Sequence, residues 1–142
     1  MNRISKILAI CYTVVLVSGC DQPTPREIYK KVDATGRITD EQAEFLSSNW
    51  QYIFLDGLTS ITDKQAESLG TIRILYLNGL TSISDAQAES LSKVKVLGLK
   101  GLTSISDRQA EILSEVEDLR LSDSCRKQIL SYQQRILSHQ QK

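Results

Sequence analysis

Three aspartates recur at a fixed spacing and are the first candidates for chemistry. Asp63, Asp85 and Asp107 follow one another at equal intervals of twenty-two positions. A glycosidase needs two carboxylates about 5–10 Å apart across a cleft, and a calcium site needs six to eight oxygen ligands. Here each repeat supplies one such carboxylate, directly after Ser or Thr, where it suits the positive first turn of a helix. We therefore predict no catalytic residues, no metal site and no cofactor.

The remaining composition points away from enzymes and from nucleic-acid binding. His139 is the one histidine, it lies near the C-terminus, and no Ser–His or Cys–His pairing accompanies it. The chain has 17 basic and 17 acidic side chains, so no basic excess is available for phosphate backbones. With two Phe and one Trp among 142 residues, the core of a single small domain must be built from Leu, Ile, Val and Ala.

The first twenty residues, MNRISKILAICYTVVLVSGC, predict an export signal. Arg3 and Lys6 provide the positive start, and residues 7–17 form an almost continuous apolar run. As a helix this run spans about 16 Å, against about 30 Å for the hydrocarbon core of a bilayer. It is therefore too short to be a transmembrane anchor.

The end of this segment, LVSGC, resembles a bacterial lipobox. The resemblance implies that residues 1–19 are a signal peptide cleaved after Gly19, and that Cys20 is lipidated. The mature chain is then lipid-anchored in the bacterial cell envelope. Asp21 resembles an inner-membrane retention signal, which favours the inner membrane facing the periplasm and leaves the outer membrane as an alternative. Ordinary secretory cleavage with an incidental cysteine is the alternative to lipidation.

Residues 20–27 are expected to form a short tether. DQPTPR contains both prolines of the chain, and such a segment is extended and stiff, with a reach of about 20–24 Å. Once Cys11 is removed and Cys20 carries lipid, Cys125 is the remaining thiol, so no internal disulfide can form. We expect a small buried hydrophobe at Cys125, with an intermolecular disulfide as the alternative.

The middle of the chain repeats itself. Three copies begin at equal intervals, at Leu55, Leu77 and Leu99; they read LDGLTSITDKQAESLG, LNGLTSISDAQAESLS and LKGLTSISDRQAEILS. The β-branched runs IRILYL and VKVLGL before the second and third copies predict short strands. The glycines that follow suit a turn conformation that other residues resist; they are Gly57, Gly79 and Gly101.

A capping box is predicted at the start of a short helix in each of the three copies and in an earlier, weaker copy, RITDEQAEFLSSNW. A hydroxyl residue is followed three positions later by Gln, in the pairs Thr39/Gln42, Thr62/Gln65, Ser84/Gln87 and Ser106/Gln109. Within each helix an Ala and a Leu at i, i+3 face inward, whereas Gln87, Glu89 and Ser92 are expected to face water. Such short helices are marginal alone. A fixed period in the range of about 20–29 residues indicates stacked units.

The frame IFLDGLTSITDKQAESL resembles a leucine-rich repeat, nearest to the cysteine-containing class with "ITD" and to short bacterial versions of it. The resemblance covers residues 28–123, about four repeats of which the first and last are degenerate. It implies an α/β solenoid with a short parallel β-sheet on the concave side and short helices on the convex side. Leu58, Leu80 and Leu102 replace the usual Asn or Cys, so burial must do the work of the missing side-chain hydrogen bonds.

Both ends of a stacked array need cover. Residues Glu27 to Val32 are expected to form a degenerate first strand. Residues 124–142 are expected to form a C-terminal capping helix and tail, with the helix from about Cys125 to His139. The alternative is that this amphipathic helix lies on the membrane or on a partner.

The outward residues of the strands vary between copies, whereas the frame barely does. Read by period, they form the columns Tyr52/Ile74/Val96/Asp118, Phe54/Tyr76/Gly98/Arg120 and Asp56/Asn78/Lys100/Ser122. An apolar patch containing Tyr suits a protein-binding site, and its candidate residues are Tyr52, Phe54, Asp56, Ile74, Tyr76, Asn78, Val96, Lys100 and Arg120. The alternative is that these residues merely fit a sheet.

We therefore expect a membrane-anchored, non-enzymatic protein-interaction module that acts through its concave face. The alternative is a structural or inhibitory envelope lipoprotein that acts through its C-terminal amphipathic helix. The sequence identifies neither the protein partner nor the oligomeric state.

Overall fold

The computed structural model describes residues 24–140, and this part of the chain is a mixed α/β fold with six helices and a four-stranded parallel sheet. The helices are α1 Pro25–Thr35, α2 Asp40–Asn49, α3 Asp63–Leu69, α4 Asp85–Leu91, α5 Asp107–Leu113 and α6 Asp123–Gln140. The strands are β1 Tyr52–Phe54, β2 Ile74–Tyr76, β3 Val96–Leu99 and β4 Asp118–Leu121. The predicted signal peptide, Cys20 and Asp21 lie outside the described residues.

The strands follow one another across the sheet in chain order, each parallel to the next. Their register reproduces the period of the sequence, because Ile53 pairs with Leu75, Leu75 with Leu97, and Leu97 with Leu119. The helices from α2 to α6 also pack against one another in chain order. The predicted in-phase arrangement of the copies is therefore confirmed for the strands, and the helices pack in the same order.

A single aliphatic core lies between the sheet and the helices. Equivalent leucines of successive copies are fully or almost fully buried; they are Leu55, Leu77 and Leu99 on the strand side, and Leu58, Leu80 and Leu102 at the following turn. Each buried leucine side chain contributes about 1.5–3 kcal/mol relative to exposure. A buried leucine therefore stands at the turn position where leucine-rich repeats usually have Asn or Cys.

All four predicted capping boxes are present, so the predicted helix starts are confirmed. Three of the four N3 glutamines do more than the motif requires, because their Nε2 groups donate across to the preceding copy. Gln65 donates to the Ile38 carbonyl oxygen at 3.0 Å, and Gln87 and Gln109 make the same bond to Ile61 and Ile83. The prediction that Gln87 faces water was wrong, since this bond holds it half-buried.

The expected first strand at Glu27–Val32 was also wrong, because these residues belong to helix α1. Thr24 and Glu27 form a capping box that starts this helix, and their hydrogen bonds lower the pKa of the Glu27 carboxyl. Ile28 and Val32, at i and i+4, are 1% exposed and cover the N-terminal end of the core. Residues 25–27, which were predicted to belong to the tether, are therefore helical instead.

The glycines of the turns serve a purpose other than the predicted one. Among the described residues Gly36, at the end of α1, alone has a positive φ, of 66°. A Cβ at Gly79 would lie 2.3 Å from the Asp56 carbonyl oxygen, and one at Gly101 would lie 2.2 Å from that of Asn78. Glycine is needed at these turns because the backbones of successive copies approach closely.

The C-terminal helix was predicted correctly, apart from small differences at its two ends. Cys125 is fully buried, as expected, and Ile129 is 9% exposed, so the first turns of α6 cover the last copy. Gln128 Oε1 accepts a hydrogen bond from the Ile105 backbone N–H at 3.0 Å. The second half of α6 leaves Leu130, Ile136 and Leu137 exposed.

The glutamine contacts between copies are testable with the substitution Gln65→Glu. The new carboxylate could still accept from the Thr62 N–H, but it would place an oxygen where Gln65 Nε2 lies 3.0 Å from both the Ile38 carbonyl and Asp40 Oδ1. We expect Q65E to lower the free energy of unfolding by about 1–3 kcal/mol at neutral pH, measured by urea denaturation.

The loss should shrink as the pH falls, since burial near Asp40 raises the folded-state pKa of the new carboxyl above about 4.3 and its protonated form can donate again. Gln42→Glu is the matched control, because within residues 24–140 the hydrogen bonds of Gln42 stay inside its own capping box. Equal losses in Q65E and Q42E would contradict the role of the contact between copies.

Candidate functional site

The outward face of the sheet carries the residues that the sequence singled out. The strand register places Tyr52, Ile74, Val96 and Asp118 in one row across the sheet, and Phe54, Tyr76, Gly98 and Arg120 in the next. Both predicted columns on the strands are therefore confirmed as structural neighbours. We call the surface formed by these eight residues, together with Asp56, Asn78 and Lys100, the outer sheet face.

An aromatic stack crosses this face. The rings of Phe54 and Tyr76 are nearly parallel, with centroids 4.9 Å apart and planes 6° apart. The Arg120 guanidinium carbon lies 5.6 Å from the Tyr76 centroid, which is within cation–π range. Three side chains from β1, β2 and β4 therefore form one ordered row, although Phe54 remains 58% exposed.

Gly98 makes this row compact. It occupies the β3 position between Tyr76 and Arg120. A Cβ at Gly98 would lie 2.3 Å from Tyr76 Cδ1, which is closer than two carbon atoms can approach. Gly98 belongs to the column predicted from the sequence but was not among the predicted binding residues. The signal that could have identified it is a residue without a side chain in a column of large ones.

Arg120 is held by its neighbour on the same strand as well as by the ring. Its Nη2 donates to Asp118 Oδ2 at 3.2 Å. This hydrogen bond, followed by the charge of Asp118, raises the pKa of the Arg120 guanidinium. The row thus ends in a permanent positive charge paired with an adjacent carboxylate.

Three members of the third predicted column form a hydrogen-bonded ladder at the strand ends, whereas Ser122 Oγ donates to the Leu102 carbonyl oxygen at 2.8 Å. Asn78 Nδ2 donates to Asp56 Oδ1 at 2.8 Å, and the Lys100 backbone N–H donates to Asn78 Oδ1 at 3.1 Å. The Asn78 N–H also reaches Asp56 Oδ1 at 3.3 Å. Asp56 and Asn78 are consequently fixed in position, and the Lys100 side chain is exposed beside them.

The outer sheet face gathers all nine candidate binding residues on one side of the sheet. Phe54, Tyr76 and Arg120 are in contact, Asp56, Asn78 and Lys100 are joined by hydrogen bonds, and Tyr52, Ile74 and Val96 share one row. Tyr52 is 56% exposed. Chemically, such a surface offers ring faces, two cations and fixed carboxylate and amide groups.

Other kinds of site have less support in the described part of the chain. Among residues 24–140 no three His, Cys, Asp or Glu side chains converge in a way that could hold a metal ion. None of the helices described has both the length and the apolar character to cross a membrane. The aspartates at the helix starts make contacts between copies instead, as when Ser84 Oγ donates to Asp63 Oδ1 at 3.0 Å.

No protein-family model matches this chain, and no curated protein or solved structure matches it.

The stack depends on the missing side chain at Gly98, and this can be measured. We expect Gly98→Ala to displace the Tyr76 ring and to lower the free energy of unfolding by about 1–3 kcal/mol, as overpacking does. In a Tyr76→Ser background the same change should cost less, because the ring that the new methyl group meets is gone. Equal costs in both backgrounds, measured by urea denaturation, would show that Gly98 does not shape the stack.

Proposed function

We propose that this chain is a lipid-anchored leucine-rich-repeat protein that binds a protein partner through its outer sheet face and has no enzymatic activity. The periodic register of strands and helices supports the repeat assignment, as does the recurring glutamine bond between copies. In this proposal the sheet lines the concave side of a solenoid and the helices form its convex side. Residues 1–19 direct export, and Cys20 carries the lipid that holds the protein in the bacterial envelope.

The observation that carries the binding role is an exposed aromatic row whose rings are already stacked on each other. Phe54 and Tyr52 keep more than half of their surface exposed, and the stack on Tyr76 fixes the orientation of Phe54 before any partner arrives. Large, preordered aromatic side chains lose little conformational entropy on binding and dominate many interfaces. The free face of Phe54 can accept a further aromatic or cationic side chain from the partner.

Specificity in this proposal comes from the polar groups around the row. Arg120 and Lys100 present positive charge on the β3 and β4 side of the face, and Asp56 presents negative charge at the end of β1. Asp56 and Asn78 are already hydrogen-bonded to each other. Their polar groups can therefore bind a partner with little further loss of conformational entropy.

The role of the outer sheet face is tested by changing Phe54 and Tyr76 together to Ser. We expect the lipidated F54S/Y76S protein to lose at least about tenfold in affinity for partners captured from its native membrane, as loss of an aromatic hot spot predicts. Its helix content, measured by circular dichroism, should be unchanged. The comparison protein is L130S/L137S, which removes two exposed apolar side chains from α6 instead.

The same pair of variants tests the second candidate function, a structural or inhibitory lipoprotein that acts through α6. That candidate is favoured by Leu130 and Leu137, which are 51% and 62% exposed on the helix. If partner capture survives F54S/Y76S and is lost in L130S/L137S, the helix is the binding element and the proposal for the sheet face is wrong.

The lipid anchor is tested separately with Cys20→Ala. We expect this variant to leave the membrane fraction and to lose the acyl mass that intact mass spectrometry finds on the wild-type N-terminus, since two or more buried acyl chains hold a protein on a bilayer far more firmly than one. Cys125→Ser, at the buried cysteine, should change neither result. Retention of Cys20→Ala in the membrane fraction would contradict lipid anchoring at Cys20.

A further inference from the structure

A helix lies at each end of the sheet, and the β4 end also has an open groove. On the β1 side, α1 lies across the end of the core and buries Ile28 and Val32. On the β4 side, β3 is the one strand neighbour in residues 24–140, and an open groove of about 190 Å³ lies between β4, the end of α5 and α6. Its apolar lining consists of Leu113, Val116, Leu119, Leu121, Ile129 and Leu130.

The backbone of β4 is arranged for pairing at this edge. The Asp118 N–H donates to the Lys95 carbonyl oxygen at 3.0 Å, toward β3. Because successive residues of a strand direct their N–H and C=O groups to opposite sides, those of Leu119 point away from β3, toward the open edge. An edge of this kind is a template for another strand.

The sequence of β4 is complementary to itself when it is reversed. Asp118 and Arg120 flank Leu119 and lie on the outer sheet face, one negative and one positive. If a second β4 runs antiparallel about a two-fold axis at Leu119, the two Leu119 residues exchange both backbone hydrogen bonds. Asp118 of each copy then stands opposite Arg120 of the other, so the charges match twice.

We propose that the partner at this edge is a second copy of the same chain, joined through antiparallel β4–β4 pairing into a continuous eight-stranded sheet. The apolar groove agrees with this occupant, because the axis that pairs Leu119 with its equivalent also brings the two grooves together beneath the strands. Leu130, 51% exposed beside the groove, is covered in the pair. Both aromatic rows then face the same side of one wider sheet.

The test uses two charge-reversal variants. Each variant alone should dimerise more weakly than the wild type, and a mixture of the two should dimerise again. In Asp118→Arg the junction carries four positive charges, and in Arg120→Asp it carries four negative charges, so each protein should self-associate at least about tenfold more weakly than the wild type. An equal mixture of the two variants restores opposite charges across the junction, although the Asp118–Arg120 pair within each chain remains broken. The mixture should therefore form heterodimers.

Sedimentation velocity of the full chain in detergent, over a wide range of concentration, measures all of these states. We expect a monomer–dimer equilibrium for the wild type and for Lys93→Glu, a control outside the edge, monomers for each reversal alone, and dimers for their mixture. A wild type that stays monomeric throughout overturns the proposal. A different protein would then be the candidate partner at the β4 edge. Dimers that persist in both single variants, or a mixture that stays monomeric, overturn it as well.

Discussion

The structure depends on burial shared between consecutive copies. Each copy supplies a strand of three or four residues and, in three of them, a helix of seven, and elements this short are not stable alone. They become stable because Ile53, Leu75 and Leu97, each one repeat after the last, stand in one buried column across the sheet. The glutamine bonds to the preceding copy fix the same spacing on the helix side, so apolar burial and hydrogen bonding select a single register.

This constraint leaves the outer sheet face free to vary. Side chains alternate between the two faces of a strand, so the inward leucines hold the register whatever the outward residues are. Phe54, Tyr76 and Arg120 form a row on this face that the packing of the core does not require. Glycine at position 98 leaves room for the Tyr76 ring. The β4 edge follows from the same repetition, because a series of parallel strands ends where the copies end. One pattern of burial thus accounts for the scaffold, the proposed binding surface and the proposed contact between two chains.

The features that depend on residues close together in the sequence, such as the starts of the short helices, were mostly predicted correctly. A hydroxyl residue followed by Asp, one further residue and Gln marks a helix start in four places, and all four starts were predicted. The strand columns also followed directly from the period. Contacts between copies were not predictable in the same way: the Nε2 bonds of Gln65, Gln87 and Gln109 exist only after two copies align, and the close approach at Gly98 only after the Tyr76 ring lies over it. Helix α1 was mistaken for a strand because counting by period outweighed its own capping box at Thr24 and Glu27.

The most direct measurement of the shared burial is a methyl NOESY spectrum of the chain with labelled Ile and Leu methyl groups. Neighbouring strands lie about 4.8 Å apart, so we predict cross-peaks between Ile53 and Leu75 and between Leu75 and Leu97. Ile53 and Leu97, two strands apart at about 10 Å, should give no direct cross-peak. A spectrum without the first two cross-peaks, or with a strong one between Ile53 and Leu97, would contradict the in-phase stacking of the copies.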